Sequence, residues 1–437
     1  MIKLKARERD SIIQSLRAGV VPKHGLRHIQ VGRAREIEEL IKDLDRIADG
    51  GSAIRFIIGE YGSGKTFFMN LMRLVALEKG LVVMYADLAP DRRIHATGGQ
   101  ARSLYAEMAR NLSTRTKPDG GALISVLERF VSRVHIDAEE SEQSTSKLIK
   151  KRLAHFEELT GGFEFAEVIR RYWDGHENSD EGLKLAALRW LRGEFATKTD
   201  ARAALGVRTI INDSNVYDQL KLMSAFVFAA GYKGILVGLD EMVNIYRLNS
   251  ARARQANYEQ ILRILNDVLQ GTTKNLGFLM GGTPEFLMNT RRGIYSYEAL
   301  QSRLAENRFA RDGLIDLSGP VLRLTNLTPE DFFVLLSNVR SVMQGDNAVL
   351  PDDALKAFMT HCSEQIGEAY FRTPRNTVTA FVNLISVLQQ NPSINWFDLI
   401  KNVDLKEDTE DALSDIDDRK TAKPVNKDQD DLVSFQL

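Results

Sequence analysis

Residues 53–66 read AIRFIIGEYGSGKT, a short apolar run that ends abruptly in a glycine-rich loop closed by Lys65 and Thr66. Gly59, Gly64, Lys65 and Thr66 stand at the P-loop spacing, G-x-x-x-x-G-K-T. Its backbone N–H groups can turn inward around a polyphosphate because glycines place no side chain in the way. Lys65 supplies a point charge to the outer phosphates and Thr66 a hydroxyl to Mg2+. The helix opening there aims the positive end of its dipole at the same anion. Gly59, Glu60, Tyr61, Gly62, Ser63, Gly64, Lys65, Thr66 and the following Phe67 are therefore the candidate ATP contacts. The setting agrees with the chemistry: residues 54–58 read as a buried strand, and residues 66–79 carry apolar side chains at helical spacing up to Gly80.

The chain has 437 residues, room for a large core and for about two to three domains. Lys and Arg number 58 against 59 Asp and Glu, a balance that argues against coating DNA through bulk charge but leaves a local basic patch open. A single cysteine, Cys362, excludes an internal disulfide framework and reads as a small core residue in a reducing compartment. The start, MIKLKARERDSII, is too charged for a signal peptide. No run of about eighteen apolar residues occurs, so the sequence predicts a soluble cytoplasmic protein.

In chain order, residues 7–18 predict an amphipathic helix and residues 20–28 a loop marked by Pro22 and Gly25. Residues 29–40, IQVGRAREIEEL, turn at Gly32 and Arg33 into a helix with Ile37, Leu40, Ile41 and Leu44 on one face. After the P-loop helix, residues 81–87 (LVVMYAD) form a second buried strand; strand, helix, strand at this spacing implies a parallel sheet with right-handed crossovers. From 94 to 231 the pattern is almost wholly helical, with 122–134 among its predicted helices, too long for a strand-to-helix connection, and is read as an insertion between the second and third core strands. Its basic residues Lys147, Lys150, Lys151 and Arg152, with Arg92, Arg93, Arg102, Arg110 and Arg115 nearby, suit either nucleic-acid contact or a solvated face.

Residues 235–241, ILVGLDE, are an apolar strand ending in two acids, a Walker B element. Asp240 can hold the water shell of Mg2+ and Glu241 can orient and deprotonate an attacking water. Residues 276–286, LGFLMGGTPEF, predict a fourth strand running into Thr283, which with Pro284 also makes a good helix N-cap. Residues 291–311 are dense in arginine, with Arg303 and Arg308 in an otherwise regular helical stretch, and precede a fifth strand over 321–324. Thr328 and Pro329 then open an all-helical segment, with helices over 329–343, 351–365, 374–389 and 394–400. Beyond 401 an acidic tail reads as disordered, ending in the apolar LVSFQL, which could dock on a partner. The division is 1–93, an N-terminal helix and half of the core; 94–231, the insertion; 232–326, the rest of the core; 327–401, a lid; and 402–437, the tail.

Taken together, VGR, GEYGSGKT, LVGLDE, GGTPEF, SYEALQSRL and RTPRN resemble the AAA+ ATPases related to origin-recognition and signal-transducing P-loop proteins. More narrowly, the GEYGSGKT loop, the LDE strand and the GTPEF to YSYEALQSRLA stretch resemble the BREX-system ATP-binding family of bacterial phage-defence islands, over about residues 29–400. The resemblance implies an α/β AAA+ core with a parallel sheet, the helical insertion and a small C-terminal helical lid, and ATP hydrolysis with Mg2+ at Thr66 and Asp240 and Glu241 as the base. It further implies an adenine pocket at Val31, Gly32 and Arg33, which could otherwise be an ordinary glycine turn. Thr283 would be a phosphate sensor beside its capping role. Arg375 would be a second sensor, or else a surface arginine at a helix start. Arg303 and Arg308 would be the best candidates for reaching a neighbour's nucleotide in a homo-oligomer. DNA and other defence-system proteins are the implied partners, and no membrane. Origin-recognition relatives carry a winged helix after the lid; this chain has the acidic tail there, so their mode of DNA binding does not transfer. Two other readings of the motifs are a slow nucleotide-dependent switch that gates a partner, and a small-molecule kinase, which Thr283 and the helical lid disfavour.

Overall fold

The computed structural model describes residues 4–310, 314–344, 350–366 and 374–401. The acidic tail 402–437 and its apolar end lie outside the described residues, as do Arg311 and residues 370–373 ahead of Arg375. Five strands, β1 (Ser52–Ile58), β2 (Val82–Asp87), β3 (Ile235–Asp240), β4 (Leu276–Gly282) and β5 (Val321–Arg323), form one parallel sheet in the order β2-β3-β4-β1-β5. Strands buried on both faces read as near-continuous apolar runs, and β1, β3 and β4 are buried throughout, with Arg55 and Asp240 as buried charged residues within them.

The period-two alternation sorts their side chains. Ile54, Phe56 and Ile58 join the cluster shared with the helices between β2 and β3, whereas Ala53 and Ile57 face α2 (Ala34–Ala48) and α3 (Lys65–Glu78). The chain leaves β1 through α3 to the far edge at β2, returns through β3 and β4, and finishes on the other side of β1 at β5. The winding direction thus reverses around β1, and a crevice outside the carboxyl ends of the strands follows from that. Register puts the key ends side by side: Asp87 pairs with Asp240, and Ile58 with Gly282.

Between β2 and β3 run the helices from Gln100–Arg110 to Val216–Ala229, which share one hydrophobic cluster with the sheet. The helix predicted over 122–134 runs as Leu123–Ser141, because Asp137, Glu139 and Glu140 lie on its outer side while Ala138 stays buried. At the C-terminal end, Pro329–Gln344, Asp352–Ile366 and Pro374–Gln390 build a second cluster around Phe332, Phe358 and Phe381. The first helix, α1 (Ala6–Arg17), packs there rather than on the sheet: Ile12 is in that cluster, Arg17 Nη2 donates to Ser386 Oγ at 2.7 Å, and Thr379 Oγ1 donates to Leu16 O at 2.9 Å. Beneath the sheet, Arg55 of β1 and Asp43 of α2 form a buried ion pair, and Arg55 Nη1 also donates to Leu317 O at 2.8 Å.

Candidate functional site

The loop after β1 curls where its glycines allow. Gly62 and Gly64 take φ of 75° and 84°, the left-handed region that a side chain disfavours. At Gly59 a Cβ would lie 2.5 Å from Ser63 Oγ. Lys65, the first residue of α3, donates from Nζ to Gly59 O at 2.8 Å and to Glu60 O at 2.7 Å, so its ammonium is folded over the loop. Burial holds that ammonium below the ordinary lysine value, and the nearby carboxylates of Asp240 and Glu241 pull it partly back. Ser63 is buried and its Oγ has no hydrogen-bond partner. A buried hydroxyl left over in a cradle of inward-turned backbone fits a phosphate, which would satisfy it.

The carboxyl ends of β2, β3 and β4 meet this loop. Asp240, 3 % exposed, accepts three hydrogen bonds: from Thr66 Oγ1 at 2.8 Å and the Tyr85 hydroxyl at 3.2 Å to Oδ2, and from Glu241 N at 2.9 Å to Oδ1. Glu241 itself takes φ of 57°, an unusual backbone for a glutamate and the kind of local strain that gathers at functional sites. It lines the same cleft as Lys65. Its carboxyl is pushed above the usual range by burial and then by Asp240 and Asp87. Asp87 is raised by burial and by Asp240 in turn. Close approach at this corner requires Gly281, where a Cβ would sit 2.3 Å from Asp240 Oδ1 and 2.6 Å from Met69 Sδ.

Tyr85 and Gly281 are positions at this corner that the sequence alone does not single out. The available signal is alternation: Tyr85 and Asp87 share a face of LVVMYAD, beside the acidic strand. Tyr85→Phe is expected to cost about 1.5 kcal/mol of stability, read by urea unfolding, and to weaken Mg2+-dependent ATP binding several-fold. An unchanged midpoint together with unchanged binding counts against a positioning role for the hydroxyl.

The cleft encloses about 1200 Å3, its open mouth included, between the loop, the segment after α1 and the C-terminal helices. Phe67, Val31 and Arg33 line it, and Arg33 Nη2 donates to Ser63 O at 2.7 Å. Gly32 instead turns against Asp331, whose Oδ2 would lie 3.0 Å from a Cβ there. The apolar wall is completed by Val20, Val21, Pro22 and Leu327, which the sequence does not assign to a site because a loop has no periodicity to read. Tyr61, 47 % exposed, lies beneath Arg375: the guanidinium is 5.7 Å from the ring centroid, with Nη1 3.4 Å from the hydroxyl.

Three other candidates stand away from the cleft walls. Thr283 is buried at the end of β4 and its hydroxyl accepts from Phe286 N at 3.4 Å as an N-cap. Arg303 lies in the helix Glu298–Leu304 and donates to Asn266 Oδ1 and Ala299 O, both at 2.8 Å. The regular helix expected to carry Arg308 stops at Leu304, so Arg308 is exposed in the following loop.

Among the described residues, no three His, Cys, Asp or Glu side chains gather as a metal cage. A magnesium ion that arrives with phosphates requires only one or two carboxylates, and Thr66 with Asp240 offers the matching oxygens. No helix of the described residues is long and apolar enough to cross a membrane. A family model described as BREX system ATP-binding protein BrxC/D matches residues 4–404. No curated protein matches the chain.

Proposed function

The chain belongs to the BREX system ATP-binding protein family BrxC/D, and from that premise we propose that it binds ATP with Mg2+ and hydrolyses it. Nucleotide state would be coupled to assembly or remodelling on DNA within a cytoplasmic phage-defence complex. The observation that carries this reading is the 2.8 Å hydrogen bond from Thr66 to Asp240, which joins the phosphate cradle to the strand end that bears Glu241. A loop of inward N–H groups, a cation and two carboxylates at one corner suit phosphoryl transfer to water, where catalysis is mostly positioning and charge stabilisation.

In this reading Glu241 takes a proton from water as its oxygen bonds to the γ-phosphorus, and the bond to the ADP oxygen breaks. Lys65 and the loop N–H groups hold the phosphate oxygens. Mg2+, kept by Thr66 and Asp240, supplies charge neutralisation when bound. Val31, Arg33 and the apolar wall are proposed to take the adenine, with Gly32 shaping the turn. Residues 1–93 and 232–326 are taken as the core, 94–231 as an insertion and 327–401 as a lid, in which Arg375 reports nucleotide state. Thr283 is proposed to sense phosphate, and Arg303 or Arg308 to reach the nucleotide of a second copy.

Lys65→Ala tests the premise. Losing charge-assisted bonds of about 1.5–3 kcal/mol is expected to weaken ATP binding by about 10- to 100-fold, measured by titration calorimetry with Mg2+. Equal affinity in wild type and variant would place the nucleotide elsewhere.

A further inference from the structure

Some basic side chains nearby are neutralised: Arg263 of the helix Ala251–Leu269 by Asp218 at 2.8 Å, Arg323 of β5 by Glu306 and Lys221 by Asp267 at 2.6 Å. Five arginines on the segments that leave β3 and β4 have no salt-bridge partner among the described residues, although Arg247 is near enough to Glu241 to pull that carboxyl's pKa down in part. Among the described residues, Arg247, Arg252, Arg254, Arg291 and Arg292 form no ion pair. Two of them are held together. Arg254 Nη1 donates to Leu248 O and, at 3.3 Å, to Asn249 O; Arg292 Nη2 donates to Tyr246 O and Leu248 O, both at 3.3 Å, with its guanidinium 5.4 Å from the Tyr246 ring centroid. Two cations therefore share the Leu248 carbonyl with no carboxylate between them, and Arg292 Nε is buried without a partner. Burial and the neighbouring Arg292 both hold Arg254 below the ordinary arginine value.

The carbonyls engage one terminal nitrogen of each guanidinium, so both keep N–H donors for an anion. The exposed Arg247, Arg252 and Arg291 adjoin them in sequence. The cluster begins just past Glu241, after the short helix Val243–Tyr246, and continues after Pro284–Met288, which Thr283 caps. It therefore lies at the carboxyl edge of the sheet, as the cleft does.

We propose that this arginine cluster binds the phosphates of a nucleic-acid backbone. Five cations on two segments exceed what a single phosphate can neutralise, whereas a run of phosphates matches them. Arginine forks suit phosphate oxygens, and with a net charge of −1 over the whole chain the attraction has to be local. The inference deepens the DNA-acting part of the function proposed above and rests on it; it does not require that ATP be hydrolysed.

The test is fluorescence anisotropy of the full chain with a labelled duplex of about 30 base pairs, over about 50 to 200 mM salt. Wild type is expected to bind with log K falling linearly in log salt. R252A/R291A, in which neither side chain makes a hydrogen bond among the described residues, is expected to lower that slope by about 1.8, two phosphate contacts at about 0.9 each. R254K/R292K keeps the charge but loses the fork, and is expected to lose affinity with the slope retained. Three results overturn the proposal: no DNA binding by wild type at low salt, an unchanged slope in R252A/R291A, or a fall in ATP turnover with DNA binding intact, which would assign the arginines to a neighbouring copy's nucleotide. Failure of the ATP reading would look different, as absent ATP binding with DNA binding preserved.

Discussion

Glu241→Gln is expected to hold ATP within a few-fold of wild-type affinity while turnover falls by about 10²- to 10⁴-fold, the usual contribution of a positioned general base. Gln keeps the shape of Glu and can still line the cleft, but it cannot accept a proton from water. The pH dependence gives a second readout. The Glu241 carboxyl is raised by burial and by Asp240 and Asp87, and it must be ionised to act. The kcat/KM for ATP, which reports the free enzyme, should therefore fall as pH drops through that raised value, an acid limb lying above 4.5, the ordinary glutamate value. Lys65, lowered by burial, must keep its proton to attract phosphate, so binding should weaken at alkaline pH below 10.5, the ordinary lysine value.

The acid limb should be missing from whatever activity Glu241→Gln retains. The same shift also affects stability. Because the folded form holds the proton of Glu241 more tightly than the unfolded chain does, stability without nucleotide declines as pH rises between the two pKa values. Glu241→Gln should flatten that decline. A variant that turns over ATP at the wild-type rate, with the acid limb in place, removes Glu241 from the chemistry.

Some of this architecture is legible in the sequence because it is local. The glycines at 59, 62 and 64 and the abrupt change from strand to helix describe a backbone shape within one stretch of chain. The apolar runs 235–240 and 276–282 are strands buried on both faces, which read as such without any partner being known. What the sequence does not supply is who meets whom. Thr66 and Asp240 are 174 positions apart, and only the register of β1, β3 and β4 brings them within 2.8 Å. The amphipathic pattern of α1 announces a buried face but not that it packs on helices more than three hundred residues later. Tyr61 reads as one more residue of the phosphate loop; its contact with Arg375 depends on where the C-terminal helices dock. Arg308 is expected in a helix whose pattern ends at Leu304, after which the exposed loop carries no repeat to follow.

Asp43→Ala is expected to destabilise the protein by about 3–5 kcal/mol, because it leaves the buried Arg55 charge without its anion. Both side chains are nearly inaccessible, at 6 % and 5 % exposed, inside a cluster otherwise made of Leu40, Leu44, Ile47 and their neighbours. Arg46, reaching Asp43 from the surface at 3.4 Å, is free to turn to water; Arg55, fixed on the central strand β1, is not. Arg55 also donates to the carbonyls of Leu317 and Gly319, the approach to β5, so its loss of charge balance should loosen the edge strand as well as the layer beneath. Urea unfolding of the full chain without nucleotide measures the cost. The paired variant Asp43→Leu with Arg55→Met separates two explanations. If the charge imbalance is what destabilises, replacing both partners with apolar side chains should recover most of the loss, since a buried ion pair is worth little more than the packing it displaces. If the double variant is as unstable as Asp43→Ala, the carbonyl contacts at 317 and 319 contribute more than the charge pair does, and Arg55 is a clamp on β5 rather than half of a salt bridge.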